Sequence, residues 1–183
     1  IALLAEAKPI YISTSIEQKL KITPQQLKKA ITAKTRLFII NSPSNPTGMV
    51  YSREELIEIA KVLVENPHVF ILTDDIYEHI YWGKQPFENI INVCPELYSR
   101  TLVLNGCSKA YAMTGWRIGY AAGPKKLIQA MANIQSQSTS NPNSIAQKAA
   151  QAALTGNQAC VLEMNKIYEE RHIFFSEGLN DIP

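Results

Sequence analysis

The chain has 183 residues, 46% of them hydrophobic and 19% charged, and 18 Lys and Arg against 16 Asp and Glu leave a formal charge of +2. Ordinary apolar content with so little net charge excludes a disordered chain, and the lack of a basic excess excludes nucleic-acid binding driven by charge alone. No apolar run is long enough to span a bilayer.

The length suits about one domain, able to bury roughly 70% of the surface its unfolded form exposes. Cys94, Cys107 and Cys160 are an odd set with long spacings and no C-x-x-C. That pattern predicts neither a disulfide framework nor a structural zinc site, and it favours a reducing cytosol.

The opening Ile1-Ala2-Leu3-Leu4-Ala5 lacks a basic start and a small-residue cleavage pattern, so it does not read as a signal peptide. Both ends read as cut from a longer protein. Lys8 to Thr14, with Ile10, Tyr11 and Ile12, predicts a short strand. Thr23-Pro24-Gln25-Gln26 predicts a helix start, with Thr as N-cap, Pro at N1 and Gln at N3. Arg36-Leu37-Phe38-Ile39-Ile40-Asn41 is an apolar run of strand length, of the kind buried on both faces. Ser52-Arg53-Glu54-Glu55 is a second capping box, followed by an apolar stripe of Leu56, Ile59, Ala60 and Leu63. Val69–Thr73 and Thr101–Leu104 read as further buried strands and Arg117–Ala122 as a fourth. Helices are predicted over Lys125–Ile134, Ser144–Leu154 and Asn157–Glu177, the last ended by Gly178 as C′ residue. Alternating strands and helices predict an α/β layered sheet with helices on its faces. Ligands of such sheets sit beyond the carboxyl ends of the strands, so the residues just past each strand matter most.

After the first strand comes Ser42-Pro43-Ser44-Asn45-Pro46-Thr47-Gly48. It is either a rigid turn or an edge where Asn45 offers an acceptor and two donors. After the second comes Asp74-Asp75-Ile76-Tyr77-Glu78-His79. An acid at the end of a buried strand is costly unless paired with a cation. On a helix, Asp75/His79 and Asp74/Glu78 at i, i+4 would suit a hard metal. The plainer reading is a helix N-terminus that favours acids. After the third, Cys107-Ser108-Lys109-Ala110 leads through Gly115 and Trp116 to Arg117. Most lysines are solvated surface groups, but this one lies past a buried strand among small and aromatic residues. There Lys109 could form a Schiff base with a carbonyl, and Arg117 could clamp a phosphate. An amine, a carboxylate, a phenol, an amide and a guanidinium at the strand ends suit pyridoxal phosphate, with its aldehyde, ring nitrogen, phenolic oxygen and phosphate.

Asn41-Ser42-Pro43-Ser44-Asn45-Pro46-Thr47-Gly48, Thr73-Asp74-Asp75-Ile76-Tyr77-Glu78-His79 and Ser108-Lys109-Ala110-Tyr111-Ala112-Met113-Thr114-Gly115-Trp116-Arg117-Ile118-Gly119-Tyr120 together resemble the fold-type I pyridoxal-phosphate aminotransferases. With Gln135-Ser136-Gln137-Ser138-Thr139-Ser140-Asn141-Pro142, the wording is most similar to the bacterial-type aspartate aminotransferases of class I, subgroup beta. The resemblance runs over nearly the whole chain. It implies a three-layer αβα fold with a mainly parallel sheet, residues 1–183 forming part of the large, cofactor-binding domain. It implies amino-group transfer between an amino acid, aspartate first, and a 2-oxo acid such as 2-oxoglutarate. Aromatic, alanine and prephenate-type substrates are the alternatives. It also implies a cytoplasmic homodimer, with no nucleic-acid or membrane partner.

By the same resemblance, Lys109 would carry the Schiff base and move the substrate α-proton, and Asp74 would pair with the ring nitrogen. Tyr77 would donate to the phenolic oxygen, and Asn45 would touch that oxygen and the substrate α-carboxylate. Arg117 would bind the phosphate, assisted by Ser108. The Asn45-Pro46 bond would be cis. Asp75 departs from the pattern, where Glu is commoner, as does Cys107, where small or apolar residues are usual. Family members are more than twice as long, so the chain alone would hold about half of an active site and be inactive or severely impaired. Two other readings stand beside this one. A non-catalytic α/β module is opposed by the intact Lys109, Asp74, Tyr77 and Arg117. A metal-dependent hydrolase using Asp74, Asp75, Glu78 and His79 leaves Lys109 and Arg117 without work and ranks last.

Overall fold

A computed structural model describes residues 2–182. Both capping boxes form as the spacing predicts. Thr23 accepts from the Gln26 backbone while the Gln26 side chain reaches back to the Thr23 N–H, starting α1 (Pro24–Ala30). Ser52 and Glu55 do the same for α2 (Arg53–Val64). Each reciprocal pair satisfies two amides that a helix start otherwise leaves without partners.

The strands are β1 (Leu37–Asn41), β2 (Phe70–Asp74), β3 (Thr101–Gly106) and β4 (Gly119–Ala122). They lie in chain order across one sheet. β1–β2 and β2–β3 pair in parallel, and β4 returns antiparallel to β3. The core lies under one face of this sheet. Phe38, Ile40 and Ile71 point into it and meet Leu27 of α1, Leu56, Ile59 and Leu63 of α2, and Ile90 of the short α3 (Ile90–Val93). Arg100 fastens the near end of this layer by donating to the carbonyls of Leu63 at 2.6 Å and Val69 at 2.5 Å. Leu63 is wholly buried. Leu63→Ala should therefore cost about 3 kcal/mol of unfolding free energy in a urea titration; a loss below about 1 kcal/mol would mean the site collapses on the smaller side chain.

The remaining helices are α4 (Lys125–Ser138), α5 (Ser144–Thr155) and α6 (Ala159–Asn180). Ala146 and Ala150 of α5 pack against Cys107 and Ile118, at the two ends of the β3–β4 connection. Asn165 of α6 bonds both backbone groups of Tyr81, donating at 2.9 Å and accepting at 3.0 Å.

Three expectations need correction. Lys8–Thr14 forms no strand, because no neighbouring strand pairs with it; Ile10 and Tyr11 stay exposed and only Ile12 packs on the core. The central strands are not buried on both faces. Leu37 is 48%, Ile39 60% and Phe70 46% exposed, because α1–α3 cover one face while α5 and α6 are held by residues beyond the strand ends. Gly178 does not end the last helix, which continues to Asn180. The stop falls just before Ile182, whose place ahead of Pro183 disfavours helical backbone.

Candidate active site

The carboxyl ends of β1, β2 and β3 carry most of the candidate residues. Asn41 closes β1 opposite Asp74, the last residue of β2, and Asp74 lies opposite Leu104 of β3. Beyond β1, both Ser42-Pro43 and Asn45-Pro46 are cis, as expected for the second. This sharp loop brings Asn45 back over the sheet edge. Its side-chain amide lies 3.3 Å from the Tyr77 hydroxyl. Lys109, three residues past β3, places its ammonium 5.4 Å from the centre of the Tyr77 ring. Asn45, Tyr77 and Lys109 are thus gathered from three strand ends around one phenol.

Asp74 is half-buried. Its carboxylate accepts one long bond, 3.3 Å, from the Ile76 amide and forms no ion pair among the described residues. Such a group has capacity to hold a cation. Its neighbour Asp75 turns the other way and is buried, accepting from the Thr73 hydroxyl and the Asn89 amide, each at 2.6 Å. Residues 75–80 form a turn rather than a helix, so the i, i+4 alignment that would suit a metal does not arise. Glu78 instead accepts from Asn105 at 2.6 Å. Among the described residues no three His, Cys, Asp or Glu side chains converge as a metal site.

Burial pushes the Asp75 carboxyl above its ordinary value of 3.8, although the bonds from Thr73 and Asn89 pull it back. The folded chain therefore holds this proton more tightly than the unfolded chain. The contribution of Asp75 to stability is complete below 3.8 and is lost as pH rises through the raised folded value. The difference in unfolding free energy between wild type and Asp75→Asn should accordingly shrink from acid to neutral pH. Urea titrations across that range check it, and a constant difference would show that burial does not govern this carboxyl.

Ser108 and Arg117 form a second group, linked through Thr114. The Thr114 hydroxyl donates to the Ser108 carbonyl at 3.0 Å, and the Arg117 guanidinium donates to the Thr114 carbonyl at 2.9 Å. Arg117 is exposed, has backbone φ +53°, and borders an open depression with Gly115, Trp116 and Asn143. A non-glycine residue held there costs about 1–3 kcal/mol. The connection is closed at its base by the facing pair Gly106 and Gly119. A Cβ on Gly106 would meet Gly119 Cα at 3.2 Å, and one on Gly119 would meet the Asn105 carbonyl at 3.1 Å. A side chain at either position would push the two strands apart by a few tenths of an ångström. Cys107, beside this pair, is a buried packing group whose thiol is pushed up by burial.

Asn41 is not among the residues that the sequence marks as candidates, yet its amide joins two of them. It donates to the Asp74 carbonyl at 2.9 Å and accepts from the Asn45 amide at 2.8 Å. In the sequence Asn41 shows only as an amide at a strand end, opening the Asn41–Gly48 motif without a role of its own. A primary amine, a carboxylate without a cation, a phenol and an amide thus lie at one sheet edge, and a guanidinium follows eight residues after the amine in the same β3–β4 connection. The set suits a ligand with an electrophilic carbon, a cationic ring nitrogen, an acceptor oxygen and a phosphate.

The sequence matches the family described as aminotransferase class I and II over residues 1–183. It is 59% identical over 182 residues to an aspartate/prephenate aminotransferase of Nitrosomonas europaea, covering 100% of this chain and 46% of that protein. It is 48% identical over 180 residues to an aspartate aminotransferase of Geobacillus stearothermophilus, covering 98% and 46%. The crystal structure of the aspartate aminotransferase from Rhizobium meliloti superposes with a TM-score of 0.96 at 45% identity, covering 99% of this chain and 45% of that one. That agreement bears out the α/β fold of a mostly parallel sheet with helices. The chain spans about half the length of the curated relatives it matches.

Proposed function

The chain belongs to the class I and II aminotransferases, and on that premise we propose that it is part of the large domain of a pyridoxal-phosphate enzyme that moves an amino group from aspartate to a 2-oxo acid such as 2-oxoglutarate. The observation that carries this reading is the gathering of Asn45, Tyr77 and Lys109 beside an Asp74 carboxylate without a cation. Pyridoxal phosphate, when bound, supplies an aldehyde for an amine and a ring that accepts the electron pair left at the substrate α-carbon. Lys109 Nζ would be the amine that holds the cofactor through its aldehyde, with loss of water, and the group that would move the proton at the substrate α-carbon. Asp74 holds positive charge at the ring nitrogen. Tyr77 and Asn45 donate toward the phenolic oxygen, Asn45 also toward the substrate α-carboxylate, and Arg117 with Ser108 binds the phosphate. The 59% identity to a relative named for both aspartate and prephenate favours a prephenate-type keto acid as a second substrate. The setting we infer is a cytoplasmic homodimer acting on small molecules. The three free cysteines suit the reducing compartment of that setting. The N-terminal segment and the small C-terminal domain of the family complete the active site in this reading.

Incubation of the chain with pyridoxal phosphate, borohydride reduction and peptide mapping test the assembled site. The added mass should fall on Lys109, and Arg117→Ala should cut the yield about tenfold, the loss of one charge-assisted contact. Label scattered over many lysines, or none at all, would overturn the claim that these residues form the cofactor site in this chain.

A further inference from the structure

We propose that Asn41 is a positioning residue of this site, whose single side-chain amide sets Asp74 of β2 and Asn45 of the β1 loop relative to each other. The inference rests on the proposed function for its ligand but not for its geometry. Asn41 Nδ2 donates to the Asp74 carbonyl at 2.9 Å, and Asn41 Oδ1 accepts from the Asn45 N–H at 2.8 Å. Asn41 and Asp74 are facing partners at the last rung of the β1–β2 pairing. Two residues later Pro43 has no N–H to extend that pairing, so a side chain supplies the donor where the backbone ladder ends. The same amide fixes the residue whose own side chain lies 3.3 Å from the Tyr77 hydroxyl. Both polar ends of Asn41 are therefore spent on the backbones of two residues assigned to the cofactor. A hydroxyl or a carboxylate offers no such fixed donor and acceptor pair, which explains an asparagine at this rung.

Two substitutions separate the halves. Asn41→Asp keeps the acceptor for Asn45 and loses the donor to Asp74; Asn41→Ala loses both. Thr101→Val is the comparison for a general loss of stability, since it removes a buried bond to the Leu97 carbonyl, 2.8 Å, at the opposite end of the sheet. Amide hydrogen exchange of the ligand-free chain reads the tie directly. Exchange at Asn45 should quicken about tenfold in Asn41→Ala and stay near wild type in Asn41→Asp, as one hydrogen bond is worth about a factor of ten. The dissociation constant for pyridoxal phosphate should rise about tenfold in both Asn41 variants and stay within about twofold in Thr101→Val. Unchanged exchange at Asn45 in Asn41→Ala would overturn the proposal. So would a cofactor affinity that falls no further in the Asn41 variants than in Thr101→Val. Should the wild-type chain bind no pyridoxal phosphate, the claim that these residues form the cofactor site in this chain fails, and exchange alone decides for or against the Asn41 tie.

Discussion

Replacing Lys109 with alanine should abolish the borohydride-fixed adduct and lower the transamination rate of the complete enzyme by at least about 10⁴-fold. Positioned proton transfer alone contributes about 10²–10⁴, and removal of a covalent participant adds to it. The fold should survive. The Lys109 side chain forms no hydrogen bond or ion pair among the described residues, and its ammonium meets only the face of the Tyr77 ring. Such a contact is worth about 0.5–1 kcal/mol at a partly open site. Urea midpoints for Lys109→Ala and wild type should thus nearly coincide while activity disappears. An alanine variant within about tenfold of wild-type turnover would remove Lys109 from the chemistry.

Asp74→Asn should act differently, because it changes a charge and leaves the turn in place. The Asn side-chain oxygen can still accept from the Ile76 amide, the 3.3 Å bond that Asp74 makes. What disappears is the negative charge that the proposed function assigns to the cofactor ring nitrogen. Loss of one preorganised electrostatic partner costs about 10²–10³ in turnover, or about 3–4 kcal/mol. The adduct at Lys109 should still form, since the amine is untouched. A Lys109 adduct with slow turnover would separate the two roles. Turnover near wild type would show that Asp74 does not stabilise the reacting state.

The sequence made the local devices plain and the uses of the sheet less so. The capping boxes at Thr23 and Ser52 were readable because each is a contact across three residues, written in the chain itself. Asn45, Asp74 and Lys109 stood out because they sit at or just past the ends of buried strands, and Tyr77 through the family resemblance. The apparent strand at Lys8–Thr14 failed because alternation of apolar residues says nothing about whether a pairing partner exists. The open face at Leu37, Ile39 and Phe70 was invisible for a related reason: apolar residues state that a face can be covered, not that these helices cover it. Asn41 was hidden because its role depends on register. Only the facing of Asn41 and Asp74 across two strands turns a strand-end amide into a tie.

The Gly106–Gly119 pair has a consequence for how this loop can evolve. Lys109 and Arg117 both lie within one segment whose two ends are pinned together at that pair. The separation of the amine from the guanidinium is therefore set by the number of residues in a closed ring, not by the spacing of strands. Substitutions within the ring can alter pocket shape while both cations keep their places. An insertion or deletion within the ring would move one cation against the other, so its length is constrained as tightly as the residues that face the site.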